Sequence, residues 1–508
     1  MGSVISTIRG TLFTVSSIIR TLSSLNTQFS SLLSRATAPP GLPVPNPTSS
    51  YWLDDPPFPA LCDVQGELPL EADVVIIGSG IAGASVAKTL LELSSEDKSE
   101  LKVVVCEARQ LCSGATGRNG GHVKCTPYEA FSISKAKLGP QRARDLVRFQ
   151  MKHLPMLLEV GATVPVGEVR EVQTVDLFIE QKDLEIARAQ VEQLKEWLPE
   201  VDCRVLEAEE AREEFGVNES IAGAVSYKAG ALWPYRLVTG VWNDLLQRYP
   251  SLTISTHTAV EAVDHTPTSS PYVYSVKTSR GTTKARHVIH NTNAFAPGLV
   301  PSLRNSLTGA LAHMSAQRPG TAFPASHGER SWSIVYSPGF DYVTQRPDGA
   351  DGTAGDLMVG GGFFRSREQG LDQMGVWDDS RVDALPGMHI RGVMPTTFEP
   401  RWGEGGAVKK AWTGILGFTG DLMPFVGRVP GPGSGEWIAA GFNGEGMVWA
   451  WLCGAALAVM VLGKKDEVLD RGVGRPGGRL EEWFPREELK VDRGRLRRAE
   501  LKNLADVI

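Results

Sequence analysis

The stretch DVVIIGSGIAG, residues 73–83, decides the predicted fold of this chain. The four β-branched residues at 74–77 are typical of a strand that is buried on both faces. Gly78, Gly80 and Gly83 follow in the G-x-G-x-x-G spacing, and the apolar stretch after them predicts a helix. Such glycines allow a tight turn, a close approach of backbone to a pyrophosphate, and close packing of helix on strand. The N-terminus of the helix would then bind phosphate groups.

An acidic residue supports this interpretation, because three glycines are weak support in a chain that has 54 of them. A second apolar strand, predicted at 101–106, ends in Glu107, which follows Gly83 by 24 residues. The dinucleotide fold has an acid about 20 residues on, where it binds the ribose 2′-OH. The acid also favours a free 2′-OH over a 2′-phosphate. Together these features predict a dinucleotide site.

The composition is that of an ordinary globular protein with two or three domains. Apolar residues make up 42% and charged residues 22% of the 508 residues. A net charge of −6 without a basic stripe argues against a nucleic-acid partner. The six cysteines are scattered and form no C-x-x-C pair, so we expect free thiols in a reducing, intracellular compartment and no metal site.

Residues 1–50 are expected to lie outside the folded body. Residues 1–37 contain apolar residues on an alternating 3–4 spacing, chiefly between 4 and 35, and predict an amphipathic helix that is too polar to span a bilayer. Residues 38–69 are predicted as a proline-rich linker. Three uses of the helix stay open: binding to a membrane surface, with Gly2 as a myristoylation site, self-association as a coiled coil, or targeting to a mitochondrion. The chain is thus expected inside the cell, with the cytoplasmic face of a membrane or a mitochondrion as open locations.

A glycine-rich loop, QLCSGATGRNGGHVKC at 110–125, comes shortly after Glu107. Its backbone is suited to lie against a flat or anionic ligand, and Arg118 and Asn119 offer hydrogen-bond donors. Its position one strand after the glycine motif predicts that it lies at the same crevice. His122, within this loop, is either a packed loop histidine or a contact of the bound ligand or substrate.

The remaining patterns predict an inserted region, a sheet and a late apolar helix. Residues 126–215 alternate helix and strand, whereas 310–400 read mostly as strand and turn. Antiparallel strands on either side of the turn at 348–355 predict the roof of a substrate pocket. The uncharged run 447–463 is shorter than a usual membrane span and contains small residues, so a buried core helix is favoured over a transmembrane helix.

Four blocks together resemble the D-amino-acid-oxidase-like (DAO) family of FAD-dependent oxidoreductases: VVIIGSGIAGASVA, SGATGRNGGH, VIHNTNAFAPGL and WTGILGFTGDLMPFVG…WIAAGFNGEGM. The GRNGGH loop is most similar to the fungal branch of the family. The resemblance covers about residues 70–465 and implies an α/β fold. This fold has an FAD-binding Rossmann-like domain with a three-layer ββα architecture and a substrate domain with an antiparallel sheet. An N-terminal amphipathic helix is added in this chain. The implied FAD-binding domain comprises 70–165, 225–305 and 405–508, and the substrate domain comprises 166–224 and 306–404.

The resemblance also implies which residues hold FAD. The glycine turn and Glu107 would hold the ADP part, the loop at 110–125 the pyrophosphate and flavin ring, and the loop before the late helix the flavin pyrimidine edge. Arg118 stands where some members carry a flavin-linked histidine, which puts that covalent bond in doubt. The full implied set is Gly78, Gly80, Ile81, Ala82, Gly83, Glu107, Ala108, Thr116, Arg118, Asn119, Gly120, Gly121, Val260, Thr292, Gly417, Gly441, Asn443, Gly444, Glu445, Gly446 and Met447.

The implied reaction is oxidation of a C–N bond in an amine or amino acid. Hydride passes to flavin N5, the imine is hydrolysed to a carbonyl compound, and O2 or another carrier takes the electrons. Candidate substrate contacts are His122, Tyr342, Arg346 and Arg365, with Trp233 and Tyr235 as an aromatic wall or as core. Two alternatives stay open: an FAD-dependent alcohol dehydrogenase on the same fold, and a non-catalytic flavoprotein tethered by its N-terminal helix.

Overall fold

The structure is a computed structural model that describes residues 27–506. Residues 1–26, which carry most of the predicted amphipathic helix and Gly2, lie outside the described residues. The described part opens with helix α1 at residues 27–36. Within the described range, every helix is too short or too polar to cross a membrane.

The described chain folds into two large sheets with helices packed on them. The strands are β1 (Glu71–Ile77), β2 (Val103–Cys106), β3 (His122–Val123), β4 (Arg170–Phe178), β5 (Arg204–Glu207), β6 (Gly223–Ala231), β7 (Leu252–Ser255), β8 (Val260–His265), β9 (Tyr274–Thr278), β10 (Gly281–His290), β11 (Leu307–Arg318), β12 (Arg330–Val335), β13 (Phe340–Gln345), β14 (Leu357–Gly361), β15 (Ala407–Thr419), β16 (Phe425–Arg428) and β17 (Glu436–Ala440). The further helices are α2 (Pro59–Cys62), α3 (Ile81–Glu96), α4 (Pro127–Leu138), α5 (Pro140–Met151), α6 (His153–Thr163), α7 (Gln181–Trp197), α8 (Ala208–Phe215), α9 (Pro234–Arg248), α10 (Ala296–Leu299), α11 (Ala384–Phe398), α12 (Ala450–Val461), α13 (Arg486–Leu489) and α14 (Arg493–Arg498).

The first sheet has the order β16-β17-β10-β1-β2-β7, with β8 and β9 attached at β10. Strand β1 pairs in parallel with β2 on one side and β10 on the other, which confirms the predicted buried strands. Because parallel strands end at the same edge of a sheet, the turns after β1, β2 and β10 come together there. This edge carries the glycine turn.

The second sheet has the order β15-β11-β14-β13-β12-β4-β6-β3, with β5 paired to β6. Strands β13 and β14 are antiparallel neighbours, as predicted for the roof of the pocket. Strands β3 and β15 come from segments predicted for the FAD-binding domain, yet they hydrogen bond within this second sheet. The predicted domain boundaries therefore stay a prediction.

Helix α11 lies in the region 310–400, where we expected strand and turn, and the structure corrects that expectation. Its sequence, ALPGMHIRGVMPTTF, holds two glycines and two prolines and is a weak helix former. Ile390, Met394 and Phe398 are fully buried in the core cluster on the outer face of the second sheet. Tertiary packing of this face outweighs the poor local propensity.

Helix α12 is the predicted late apolar helix, and all of its residues are buried, as expected for a core helix. It packs closely on α3 at Gly454, where a Cβ atom would lie 2.7 Å from the Ala82 carbonyl oxygen. The Ser85 hydroxyl donates to the Trp451 carbonyl oxygen at 2.5 Å. The early glycine motif and the late helix are therefore direct neighbours.

The segment predicted as a linker packs along the folded body for much of its length. Ser50 and Trp52 are almost fully buried. The Ser50 hydroxyl donates to the Gly117 carbonyl oxygen at 2.7 Å, and the Trp52 indole N–H donates to the Asn119 carbonyl oxygen at 2.5 Å. The expectation that the chain up to residue 50 lies outside the body is thus wrong for its last part.

Candidate functional site

A cavity of about 480 Å³ lies where the carboxyl edge of the first sheet meets the second sheet and α12. It is lined by most of the residues that the resemblance assigned to FAD. These are Gly78, Gly80, Ile81, Ala82, Glu107, Ala108, Thr116, Arg118, Asn119, Val260, Thr292, Gly417, Gly444, Gly446 and Met447. Residues from both ends of the chain thus form one crevice.

The glycine turn has the geometry that phosphate binding requires. Gly78 has φ +106°, and a Cβ atom there would lie 2.7 Å from the Asn291 carbonyl oxygen. A Cβ atom at Gly80 would lie 2.9 Å from Oγ1 of Thr116, which itself accepts a hydrogen bond from the Ile81 N–H at 2.9 Å. Helix α3 begins here without a side-chain cap at Gly80. Its positive end therefore opens to the cavity.

Gly83 contributes to this turn through packing. A Cβ atom at this position would lie 2.2 Å from the Gly78 carbonyl oxygen, so helix α3 can approach β1 only with glycine here. The residue lies behind the cavity wall formed by Gly78 and Gly80.

Glu107 is held in place by three N–H or O–H donors. Its Oε2 accepts from the Ser79 N–H at 3.0 Å and from the Ser79 hydroxyl at 2.7 Å. Its Oε1 accepts from the Arg109 N–H at 3.1 Å. The carboxylate is thus fixed at the cavity edge, where it has lone pairs left to accept a ribose hydroxyl.

The turn after β10 carries buried polar atoms that have no partner within the described chain. These are Nδ2 and Oδ1 of Asn291 and Oγ1 of Thr292, and both residues line the cavity. Buried polar groups in folded proteins are almost always hydrogen bonded, so these atoms point to a polar ligand. Together with the glycine turn and Glu107, they fit a dinucleotide cofactor such as FAD.

Asn293 and Asn443 tie together the loops on the far side of the cavity. Oδ1 of Asn293 accepts from the Gly441 N–H at 2.9 Å, and Oδ1 of Asn443 accepts from the Thr419 N–H at 2.8 Å. The Asn443 N–H donates to the Gly417 carbonyl oxygen at 2.7 Å. Asn443 and Gly441 thus shape the loop next to the cavity. Asn293 was missed, although it stands in the quoted block VIHNTNAFAPGL.

Arg118 lines the cavity, but its guanidinium group binds protein atoms. It donates to the carbonyl oxygens of Ser113 at 2.8 Å, Thr413 at 2.7 Å and Thr48 at 2.8 Å. It also forms an ion pair with Asp379 at 3.5 Å. Burial lowers the pKa of Arg118 to about 10, which leaves it charged at neutral pH. Its side chain therefore braces the loop.

Asn119 also acts within the loop. Its side-chain amide donates to the carbonyl oxygens of Ala115 at 3.1 Å and Thr116 at 3.0 Å, and its Oδ1 accepts from the Gly121 N–H at 2.7 Å. Gly121 has φ +68°, and Gly120 lies directly against the Tyr342 ring. These two glycines let the loop turn beneath the second sheet.

His122 and Tyr342 face each other between the loop and the roof sheet. Their rings are stacked with centroids 6.2 Å apart, and each side chain is half-buried. An imidazole nitrogen of His122 lies 3.0 Å from the Ser331 hydroxyl. Burial, with the charge of Lys124, lowers the pKa of His122 well below its usual value, so the ring is neutral at pH 7. Burial raises the pKa of Tyr342 to about 12.

The arginines considered as carboxylate clamps make other contacts. Arg346 is paired with Glu168 at 2.6 Å and stacks on the Trp233 ring at 4.3 Å. Arg365 lies over the Tyr336 ring at 4.1 Å. The Trp233 indole N–H donates to the Trp52 carbonyl oxygen at 2.9 Å, and Tyr235 is also buried. These two aromatic residues pack in the core.

Two glutamates bring negative charge towards the same region. Glu445 and Glu129 both keep exposed surface, yet burial raises the pKa of each. Oε2 of Glu445 accepts from Nε2 of Gln150 at 3.1 Å and from the Trp449 indole N–H at 3.2 Å. Glu129 was not singled out in the sequence, since an acid in the first turn of a helix is common.

Lys124 is the cation of this region and is already neutralised. It forms an ion pair with the buried Asp176 and donates to the Ser333 hydroxyl at 2.5 Å. Asp176 also accepts from the hydroxyls of Tyr128 and Tyr227, each at 2.7 Å. With His122 neutral and Lys124 paired, Glu129 and Glu445 leave the region with an excess of negative charge.

Comparisons with known proteins show the family to which the chain belongs. The sequence model of the FAD dependent oxidoreductase family (DAO) matches residues 73–460. Gamma-glutamylputrescine oxidoreductase of Escherichia coli (strain K12) is 24% identical over 429 residues, which is 82% of this chain and 90% of the relative. This relative is bacterial.

Two solved structures share the fold. Glycine oxidase from Geobacillus kaustophilus superposes with a TM-score of 0.60 at 18% identity, covering 78% of this chain and 96% of the other. L-proline dehydrogenase from P. horikoshii gives a TM-score of 0.61 at 18% identity, with 83% and 99% covered. The family match spans both the glycine turn and α12. The chain therefore belongs to the FAD dependent oxidoreductase family (DAO), and it is an FAD-dependent oxidoreductase.

Proposed function

We propose that this enzyme oxidises an amine that binds as a cation and has no carboxylate beside the reacting carbon. The observation that supports this most is the placement of Glu445, in the loop that leads from the cavity into α12. When bound, FAD would supply the chemistry by accepting a hydride, the hydrogen and both electrons of the C–H bond next to the nitrogen, so that the C–N bond becomes the C=N bond of an imine. O2 or another carrier would then reoxidise it.

The charges around the pocket favour a cation over an amino acid. Strand β3, which carries His122, packs against the Gly446–Val448 turn, so His122 and Glu445 lie on adjacent segments. The carboxylates of Glu129 and Glu445 are not matched by a free cation among the described residues that face this region, since Lys124 is paired with Asp176. An unmatched negative charge attracts a cationic ligand.

The neutral ring of His122 suits an amine as well. A neutral imidazole can accept a hydrogen bond from an ammonium or amine group, whereas a protonated ring would repel it. Tyr342 and Met314, whose hydroxyl and sulfur atoms lie 3.1 Å apart, form an apolar wall opposite. Such a wall limits water near the reacting carbon.

The name of the E. coli relative fits this proposal. The E. coli relative is named for gamma-glutamylputrescine, a derivative of a diamine. We propose amines of this kind, with a positive charge and an extended chain, as the substrate class. The GRNGGH loop further supports placing the chain in the fungal branch of the family.

The test is anaerobic reduction of the bound flavin by a substrate panel. Diamines and their acylated derivatives should bleach the flavin band, and small neutral amino acids such as glycine and L-proline should leave it unchanged. Bleaching by amino acids alone, with amines inert, would contradict the proposal.

The substitution Glu445→Gln tests the role of this carboxylate. It should raise the KM for the amine about tenfold or more, because a charge-assisted hydrogen bond is lost, with a smaller change in kcat. In the wild type, KM should fall as the pH rises through the raised pKa of Glu445, because only the carboxylate binds the cation. The variant should lose that dependence. The exposed Glu196→Gln serves as the control, and equal KM values for Glu445→Gln and wild type would refute the role.

A further inference from the structure

A stretch of chain that precedes the family match lies across the FAD cavity. Residues 38–53, named the strap here, come before residue 73, where the family match begins. Four residues of the strap line the cavity: Pro39, Gly41, Leu42 and Pro43. Leu42 is 53% exposed, although it is apolar and lines a cavity. A bound ligand would cover this surface.

The strap crosses the end of the cavity where the adenosine part of FAD is expected. Glu107 marks this end because it is placed to bind the ribose. Nη1 of Arg109, two residues further on, donates to the Val44 carbonyl oxygen at 3.4 Å. A Cβ atom at Gly298 would lie 3.4 Å from Cγ of Pro40, so the strap rests directly on α10.

A set of polar contacts, named the latch here, holds the strap down. The Thr48 N–H donates to the Asp379 carbonyl oxygen at 2.7 Å, and the Thr48 carbonyl oxygen accepts from Arg118 at 2.8 Å. Oγ1 of Thr48 accepts from the Thr413 N–H at 2.9 Å. The Asp379 carboxylate pairs with Arg109 at 3.0 Å and with Arg118 at 3.5 Å. Asp379 is 2% exposed, so these charge pairs are shielded from solvent.

We propose that the strap is part of the cofactor site: held by the latch, it covers the adenosine end of FAD, and the cofactor enters and leaves when the strap lifts. The latch joins the strap to the loop after β2 and to the Asp379 segment, which both line the cavity. A covered ligand is released only from the open state, so the strap sets the rate of FAD release. The inference concerns the cofactor and does not depend on which amine is oxidised.

The substitution Thr48→Val weakens the latch without changing a residue that lines the cavity. It removes the hydroxyl that accepts from Thr413 and keeps the shape of the side chain. We expect FAD release from the holoenzyme, followed by the rise in flavin fluorescence on dilution, to become about fivefold to tenfold faster. The control is Ser49→Ala, because Ser49 is the exposed neighbour of Thr48. Equal release rates for Thr48→Val and wild type would contradict the proposal.

A cross-link gives the opposite test and does not depend on weakening the fold. The double substitution Pro40→Cys with Gly298→Cys places two thiols where the strap meets α10. With the disulfide closed, FAD release should be at least about tenfold slower than after reduction, and uptake by apoprotein should be slowed as well. The single variant Gly298→Cys, treated identically, should show no such difference.

Two outcomes of the cross-link experiment would overturn the inference. If the oxidised and reduced double variant release FAD at the same rate, the strap does not control the cofactor. If the thiols fail to join under oxidising conditions, the strap does not rest on α10. Thiol titration of denatured protein measures closure directly, so each result is decisive.

Discussion

Glu107 illustrates how far a single residue can be interpreted from its position in the chain. Its spacing from the glycine motif predicts the ribose contact, and the three donors from Ser79 and Arg109 then show how the carboxylate is held. The sequence contains the acid but not its orientation. Ser79 is the x between two glycines of the motif, a position where any residue type is allowed.

The substitution Glu107→Gln should weaken FAD binding. The amide keeps the size of the side chain but loses the charge that strengthens the hydrogen bond to a ribose hydroxyl, so the Kd for FAD should rise about tenfold. Fluorescence titration of apoprotein with FAD measures this. The control Glu100→Gln lies in an exposed position just before β2. An unchanged Kd for FAD in Glu107→Gln would show that this carboxylate does not bind the ribose.

Arg118 shows why other residues could not be interpreted from the sequence. Its place in the glycine-rich loop suggested a donor for the ligand, whereas the structure engages its guanidinium with Thr48 and Thr413 and pairs it with Asp379. These partners lie far from it in the chain, so no local pattern reveals them. Asp379 itself stands in a stretch without a motif.

At the scale of elements, strong sequence patterns predicted the strands and helices correctly, whereas weak patterns did not. Strand β1, with its run of β-branched residues, and helix α12, which is apolar on all sides, were both confirmed. Helix α11 was missed because Pro386, Gly387, Gly392 and Pro395 are typical of a loop. Its existence depends on the packing of its apolar face against the second sheet, which is not encoded locally.

The start of helix α12 depends on a buried histidine. His153, at the start of α6, is fully buried, and its Nε2 accepts from the Leu452 N–H in the first turn of α12 at 3.2 Å. Its Nδ1 lies 3.1 Å from the Phe149 carbonyl oxygen, which fixes the proton on that nitrogen. Protonation of Nε2 would break the contact with α12. Burial accordingly lowers the pKa of His153 to about 4.

This histidine predicts a loss of stability in mild acid. In the unfolded chain it takes up a proton near pH 6.5, but in the folded protein only near pH 4, so unfolding binds a proton between these values. Its contribution is complete above pH 6.5 and decreases as the pH falls, by about 2 kcal/mol at pH 5. Urea unfolding at pH 7.5 and pH 5 measures the difference. The difference in the free energy of unfolding between these two pH values should be smaller in His153→Gln than in wild type, and smaller than in the exposed control His327→Gln. An equal difference in His153→Gln and wild type would refute this role of His153.

For the whole molecule, the site arises from the meeting of distant parts of the chain. The glycine turn after β1, the turn after β10, strand β15 and the start of α12 are spread between residues 78 and 450, yet they line one cavity. Each of these parts lies in or next to one of the four sequence blocks that resemble the DAO family. The resemblance therefore predicted that they form one site. The strap could not be predicted in this way, because it lies before the family match and looks like a proline-rich linker.

The cofactor site and the proposed substrate pocket differ in how far the sequence predicts them. Glycine spacing and phosphate binding at a helix N-terminus obey general rules, so many of the residues that line the cavity could be predicted from the sequence. The proposed amine pocket uses side chains such as Glu129, Lys124 and Tyr342, which have no shared motif and come from α4, the segment after β3 and strand β13. The excess of negative charge in this region can be inferred only from the structure, because the structure shows that Asp176 neutralises Lys124.

The most direct test of the account is a crystal structure of the enzyme purified with its flavin. We expect one FAD molecule in the cavity, with a ribose hydroxyl bonded to Glu107. Its adenosine end should lie beneath Leu42 of the strap, and its flavin ring should lie beside Met447 at the start of α12. Density for FAD at another place, or a cavity that stays empty while the protein remains yellow, would contradict it.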